Sequence, residues 1–364
     1  MIHIKKLGFV KIAMPLFVLL TLSACSMWQE GNRTEIEDPG DGITETDLDA
    51  FTIEKIEKYE GMEITDWIDE QTVVLAKENQ ELGKMSLLEN AEFYPRSIYV
   101  YNLDTKEFKP IKAPKNMFLG GATLSPDKKH LLYYEYSIGD IAYYLMSLED
   151  GEQSSVKGDN ISSAYTAEWT DEQHVIGASY SGGAYIADTS GNLTTVAELQ
   201  EEQLYTVHKM QGKIYYITAD SPSSQVYVLD LMTKEKKKLQ LENTEGIKLS
   251  PDGKQMLFTQ ATESTKRLII ADVDGNIQST ITEGSNVTGA SWSPNQQMIA
   301  YQLETVDNGE DSSGLYLYDV TAGKSVQIIG NVENASISWS PSGKKISVTE
   351  MDERNYNSSI IYIK

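Results

Sequence analysis

One phrase recurs along this chain and limits what it can fold into. It reads Leu249-Ser250-Pro251-Asp252-Gly253-Lys254, with the apolar run Met256–Gln260 close behind. Relatives stand at Leu124-Ser125-Pro126-Asp127-Lys128-Lys129, Trp292-Ser293-Pro294-Asn295 and Trp339-Ser340-Pro341-Ser342-Gly343-Lys344. Two worn copies keep the aromatic and the acids, Trp67-Ile68-Asp69-Glu70-Gln71 and Trp169-Thr170-Asp171-Glu172-Gln173. A seventh, more worn, begins at His208. Each phrase makes a tight turn between two strands. Pro presets φ, Asp caps the turn with its side chain, and Gly accepts positive φ.

The leading residues fall at 67, 124, 169, 208, 249, 292 and 339, a mean step near 45 residues. That is the length of a four-stranded propeller blade. Short apolar strands follow the turns at Thr72–Ala76, Leu131–Tyr136, Val175–Ser179, Ile214–Thr218, Met256–Gln260, Met298–Leu303 and Ile346–Glu350. A second hairpin comes next, as at Ile98–Leu103, Val226–Leu231, Leu268–Val273 and Leu315–Val320. The last copy has only Lys345–Glu350 and Ser358–Ile363 after its turn, so it lacks one strand. One strand is spare before the first copy, Phe51–Tyr59. The economical solution is an all-β propeller over residues 51–364. It has seven four-stranded blades, and the N-terminal strand completes the last, leaving no long free sheet edge.

These Ser-Pro-Asp-Gly-Lys repeats resemble the WD40-like repeat of the TolB-type β-propellers of bacterial envelopes, most clearly at 124, 249, 292 and 339. The resemblance implies a fold and not a function. TolB itself carries an extra N-terminal domain, where a tether is expected here.

The first residues have a different character. Lys5, Lys6 and Lys11 precede or flank an apolar run, Ile12–Leu22, too short to span a bilayer as a mature helix but right for a signal peptide. The run ends in Leu22-Ser23-Ala24-Cys25, which resembles the lipobox of bacterial lipoproteins. The resemblance implies that residues 1–24 are removed. Cys25 then carries a diacylglycerol and a palmitate-like acyl chain, together a durable anchor. Cys25 is the only cysteine, so the lipidated chain has no thiol and no disulfide. Residues 25–50 read as a flexible tether, with eight acids and the single base Arg33. Its reach is roughly 28 Å.

Composition excludes some classes. An apolar share of 40% excludes wholesale disorder. A net charge of −23 opposes binding to nucleic acid or to anionic headgroups. The chemistry-bearing motifs are sparse. His130, His174 and His208 occupy repeat positions near the turns and show no ligand spacing, so no metal or cofactor is expected. Gly177-Ala178-Ser179-Tyr180-Ser181-Gly182 is not a nucleophile elbow. Asp272-Val273-Asp274-Gly275-Asn276 reads as a hairpin turn in preference to a calcium loop. The chain is accordingly expected not to be an enzyme.

Three connections between second and third strands look long: Lys77–Ser97, Glu304–Gly314 and Met351–Ser358, in blades 1, 6 and 7. They place Phe93, Tyr94, Arg96, Asp307, Glu310, Asp311, Asp352, Arg354 and Tyr356 on one face. Aromatic and Arg residues among acids fit a partner-binding surface. The tyrosine-rich second strands, with Tyr133, Tyr134, Tyr136, Tyr215 and Tyr216, read as core. The expected protein is a monomeric, non-catalytic lipoprotein, lipid-anchored to the cell membrane outside the cytoplasm. It binds a protein partner of the envelope. The alternatives are a glycan or small-ligand module, or a propeller lyase or hydrolase using acids such as Asp307 or Asp352.

Overall fold

The computed structural model describes residues 51–364 except 87–90, 137–140, 158–163, 165, 219–223, 308–309, 333 and 353–354, together with the backbone of Ile36–Glu37. Cys25 and the rest of residues 1–50 lie outside the described residues.

Seven antiparallel sheets follow one another along the chain. Blade 1 is built from Met62–Trp67, Thr72–Glu78, Arg96–Asn102 and Phe108–Lys112. Blade 2 follows with Phe118–Leu124, His130–Tyr136, Ala142–Ser147 and Gln153–Ser155. Blades 3 to 6 repeat the pattern from Glu168, Leu204, Thr244 and Asn286. Blade 7 takes Ser336–Trp339, Lys345–Asp352 and Asn355–Ile363, and its fourth strand is Ile53–Glu60 from the other end of the chain. Ile53 pairs with Ile363, and Thr52 and Lys364 exchange backbone hydrogen bonds. The closure expected from the strand count is therefore present, and the fold is a seven-bladed all-β propeller. Ile36–Glu37 add a short fifth strand against Ile56 and Glu57.

The turn phrase does what its residues dictate. Ser125 Oγ donates to Asp127 Oδ1 (2.7 Å) and accepts the His130 N–H (2.9 Å), while Asp127 Oδ1 also accepts the Lys129 N–H. Ser250 and Asp252 repeat this in blade 5, and Ser293 and Asn295 in blade 6. Ser125, Ser250 and Ser293, and Ser340 of blade 7, are fully buried. The fourth turn position is left-handed in each case, with φ +68° at Gly253 and +72° at Gly343. Lys128 and Gln296 tolerate the same region.

The core lies between the blades. Seven apolar clusters fill the interfaces between successive blades, including the 7–1 interface, where Trp67 is wholly buried with Tyr59, Tyr101 and Ile360. Trp67 Nε1 donates to the Ser338 carbonyl of blade 7, and Trp169 Nε1 to the Thr123 carbonyl of blade 2. The inner strand is bulged against its neighbour in blades 1, 2, 4, 5 and 6. Such bulges re-aim side chains. In blade 1 the shift falls between Ile64 and Asp66, next to Glu63.

Two of the three expected long loops are strands. Met298–Asp307 and Glu310–Asp319 pair out to Asp307 and Glu310. Lys345–Asp352 and Asn355–Ile363 pair out to Asp352 and Asn355. Both charged segments continue the ladder, which satisfies backbone groups that a loop would leave to water. In the third, a short 3-10 turn at Gln80–Leu82 follows the second strand, and the Asn79 N–H donates to the Pro95 carbonyl.

Candidate functional site

The turns between second and third strands, and the crossings from blade to blade, share one face of the ring. On that face blades 1, 2 and 7 enclose a cleft of about 310 Å³. Its lining includes Phe93, Arg96, Phe118, Tyr134, Tyr136 and Tyr356, with Ile141, Met351 and Glu78 toward the rim.

Arg96 opens the third strand of blade 1 and is 8% exposed. Its Nη2 donates to Glu63 Oε2 at 2.7 Å and to the Ala76 carbonyl at 3.2 Å. The guanidinium stacks 3.9 Å from the centroid of the Tyr356 ring of blade 7. Glu63, on the innermost strand of blade 1, also accepts the Gly121 N–H of blade 2. Burial pushes its carboxyl up, and Arg96 opposes that rise. Burial raises the Tyr134 phenol too, with Glu63 and Tyr356 adding to the effect.

Glycine makes room for this cluster. A Cβ at Gly120 or at Gly121 (φ +57°) would run into the Tyr134 ring. Around it the aromatics contact one another. Phe93 meets Phe118 edge-on at 6.4 Å, and Phe118 stacks on Tyr136 at 6.0 Å. The result is a half-open pocket with apolar walls and a few convergent polar groups, the usual composition of a ligand or anchor-residue site.

Phe93, Arg96 and Tyr356 thus meet, as their grouping on one face anticipated. Tyr94 turns aside, with Lys84 Nζ 5.9 Å from its ring. Asp311 and Glu310 are exposed at the tip of the blade 6 hairpin, away from the cleft. Asp307 and Asp352 are placed by backbone alone, opposite Glu310 and Asn355. Arg354 lies outside the described residues. Blade 6 was expected to contribute and blade 2 takes its place, because its Gly120-Gly121 pair lets Tyr134 swing inward. Glu63, Phe118, Tyr134, Tyr136, Ile141 and Met351 were not anticipated. The one signal available was a glycine pair on an inner strand beside a tyrosine-rich one. Tyr133 is core as expected, but Tyr136 is 40% exposed.

Two of the histidines pair with carboxylates of nearby turns or strands. His174 Nδ1 lies 2.8 Å from Asp171, and buried His208 Nδ1 lies 2.5 Å from Glu168 of the preceding blade. Among the described residues no group of three or more His, Cys, Asp or Glu is arranged to hold a metal ion. Asp272 accepts the N–H groups of Asp274 and Asn276, and so closes a hairpin turn.

The fold has enzymatic counterparts. An oligogalacturonate lyase solved with manganese aligns over 91% of this chain and 96% of its own, with a TM-score of 0.63 at 11% identity. The oligogalacturonate lyase of Vibrio parahaemolyticus aligns over 90% and 97%, with the same TM-score and identity. A β-propeller domain from Myceliophteria thermophila aligns over 85% and 99%, with a TM-score of 0.56 at 14% identity. No curated protein matches the sequence. At these identities the likeness is one of fold. It nonetheless overturns the expectation that the chain is not an enzyme, because a propeller of this architecture carries lyase activity. The physical reason is that a propeller assembles a site from several blades, so the absence of a contiguous motif excludes no chemistry. Residues 89–341 match the model described as TolB beta propeller domain, and the chain belongs to that family.

Proposed function

We propose that this protein is a lipid-anchored lipoprotein of the bacterial envelope. Its TolB-family propeller docks a protein partner at the cleft of blades 1, 2 and 7. The apolar run Ile12–Leu22 after basic residues, the lipobox-like Leu22-Ser23-Ala24-Cys25 and the acidic segment 26–50 support the address. The observation that carries the docking role is the cleft itself. It brings five aromatic rings and the buried Arg96 to one half-open pocket, rimmed by exposed Ile141 and Met351. Centrally placed aromatic and Arg residues are where interface energy concentrates.

The test is photo-crosslinking in cells from a reactive residue at Ile141. A specific envelope protein should be captured, and capture should fall when Met351 or Tyr136 is changed to Ser. Capture of the same neighbours with and without those changes would remove the docking role.

A second reading is favoured by one observation: Glu63, a buried carboxyl pushed up, lies against Arg96 beside the same cleft. A buried carboxyl next to a cation is equipment for acid–base chemistry. The fold it shares with oligogalacturonate lyases makes acidic sugar oligomers the first substrates to try. Release of unsaturated product, lost in Arg96→Lys, would establish it.

A further inference from the structure

Eight large apolar side chains are exposed among the described residues. Their distribution is uneven. Tyr136, Ile141, Tyr180, Tyr205, Val306 and Met351 all lie at strand ends or turns on the face that holds the cleft. Only Met232 and Ile277 lie on the opposite face. Scattered apolar residues need no explanation, but a contiguous apolar patch marks an interaction surface. Tyr136, Ile141 and Met351 meet at the cleft mouth.

The same face is acidic. Glu78 lines the cleft, and Glu81 and Glu92 stand exposed on the loop that flanks it; Glu310 and Asp311 add charge farther off on the same face. The nearby cations are largely engaged within the face. Arg96 is neutralised by Glu63, Lys84 lies over Tyr94, and Lys112 is 3.8 Å from Glu135. Lys115 stands exposed on the same side.

Resting on the docking role above, we infer that the partner presents a basic amphipathic segment. One aromatic or long aliphatic side chain enters the cleft, and Lys or Arg residues on either side face the carboxylates around it. Apolar walls suit the anchor, and the floor, with Arg96 already paired, carries no net charge to attract an acid. Complementary charge outside the pocket supplies attraction and register. A neutral or acidic segment would meet the acids of the rim with no compensating contact.

The test uses the full chain in detergent micelles and three labelled synthetic peptides. One carries a central Trp flanked by lysines. In the second, glutamates replace the lysines; in the third, Ala replaces the Trp. The first should bind at least about tenfold tighter than either control, and its affinity should fall as salt is raised. Glu78→Lys should weaken it, and so should Ile141→Ser at the exposed rim. Equal binding of the three peptides, or no dependence on salt, overturns the inference. The crosslinking at Ile141 separates it from the docking role. A captured partner whose crosslinked segment is acidic or neutral overturns the basic chemistry and leaves docking standing. No cleft-dependent capture removes both.

Discussion

A carboxylate as buried as that of Glu63 stays in a protein interior only with a partner. Arg96 is that partner, and each holds the other below 9% exposure. Removing one leaves the other buried and unpaired, a loss of about 3–5 kcal/mol. Glu63→Gln and Arg96→Met should each lower the denaturation midpoint. The double variant should lose less than the two single losses together, and a double-mutant cycle measures the difference. The turn residues behave oppositely with pH. Hydrogen bonds from Ser125 and Ser250, with backbone N–H groups, hold Asp127 and Asp252 below the ordinary carboxylate range. A lowered value favours the fold above the unfolded pKa, and that contribution disappears as pH falls through the folded value. Thermal stability should therefore decline below about pH 4, and Asp252→Asn should flatten that decline. Glu63 has the contrary sign, since a raised carboxyl favours the fold most when protonated and less as pH rises through its folded value. Ser250→Ala removes a buried hydroxyl that bridges the turn. It should cost about 1–2 kcal/mol by chemical denaturation.

Among elements, the joint between blades 7 and 1 brings the first and last blades together. Ser358 of blade 7 accepts the Ile64 N–H at 3.0 Å and donates to the Met62 carbonyl, while Thr349 donates to the Ile64 carbonyl. Ser358→Ala should cost about 1–3 kcal/mol, because a buried N–H loses its acceptor. Deleting residues 1–60 exposes the edge of Asn355–Ile363 and should yield aggregation-prone protein, whereas deleting 1–50 should not; size-exclusion profiles separate the two outcomes. The strands were legible in the sequence because turn residues and apolar runs alternate at a fixed step. The ends of Met298–Asp307 and Lys345–Asp352 were not. Glu304, Asp307 and Asp352 look like loop residues, and only cross-strand pairing shows that they extend hairpins. Strand length depends on a partner, which local sequence does not contain.

For the whole molecule, address and site are separate matters. No helix among the described residues is long and apolar enough to cross a membrane. If Cys25 carries the anchor, Cys25→Ser should abolish metabolic labelling with palmitate and move the protein from the membrane fraction to the soluble one, with the propeller's melting unchanged. Blade number, closure and family membership were determined by the sequence alone. They depend on repeated local chemistry: a Ser-Pro-Asp-Gly turn, an apolar run, and a count of strands that must close. The cleft was decided by tertiary structure. Glu63, Arg96, Tyr134 and Tyr356 come from three blades and are separated by up to 293 positions in the chain. Ring closure brings blade 7 beside blade 1, and the Gly120-Gly121 pair turns a tyrosine from expected core into the wall of a site. Proximity of that kind is a property of the closed ring, and no local spacing encodes it.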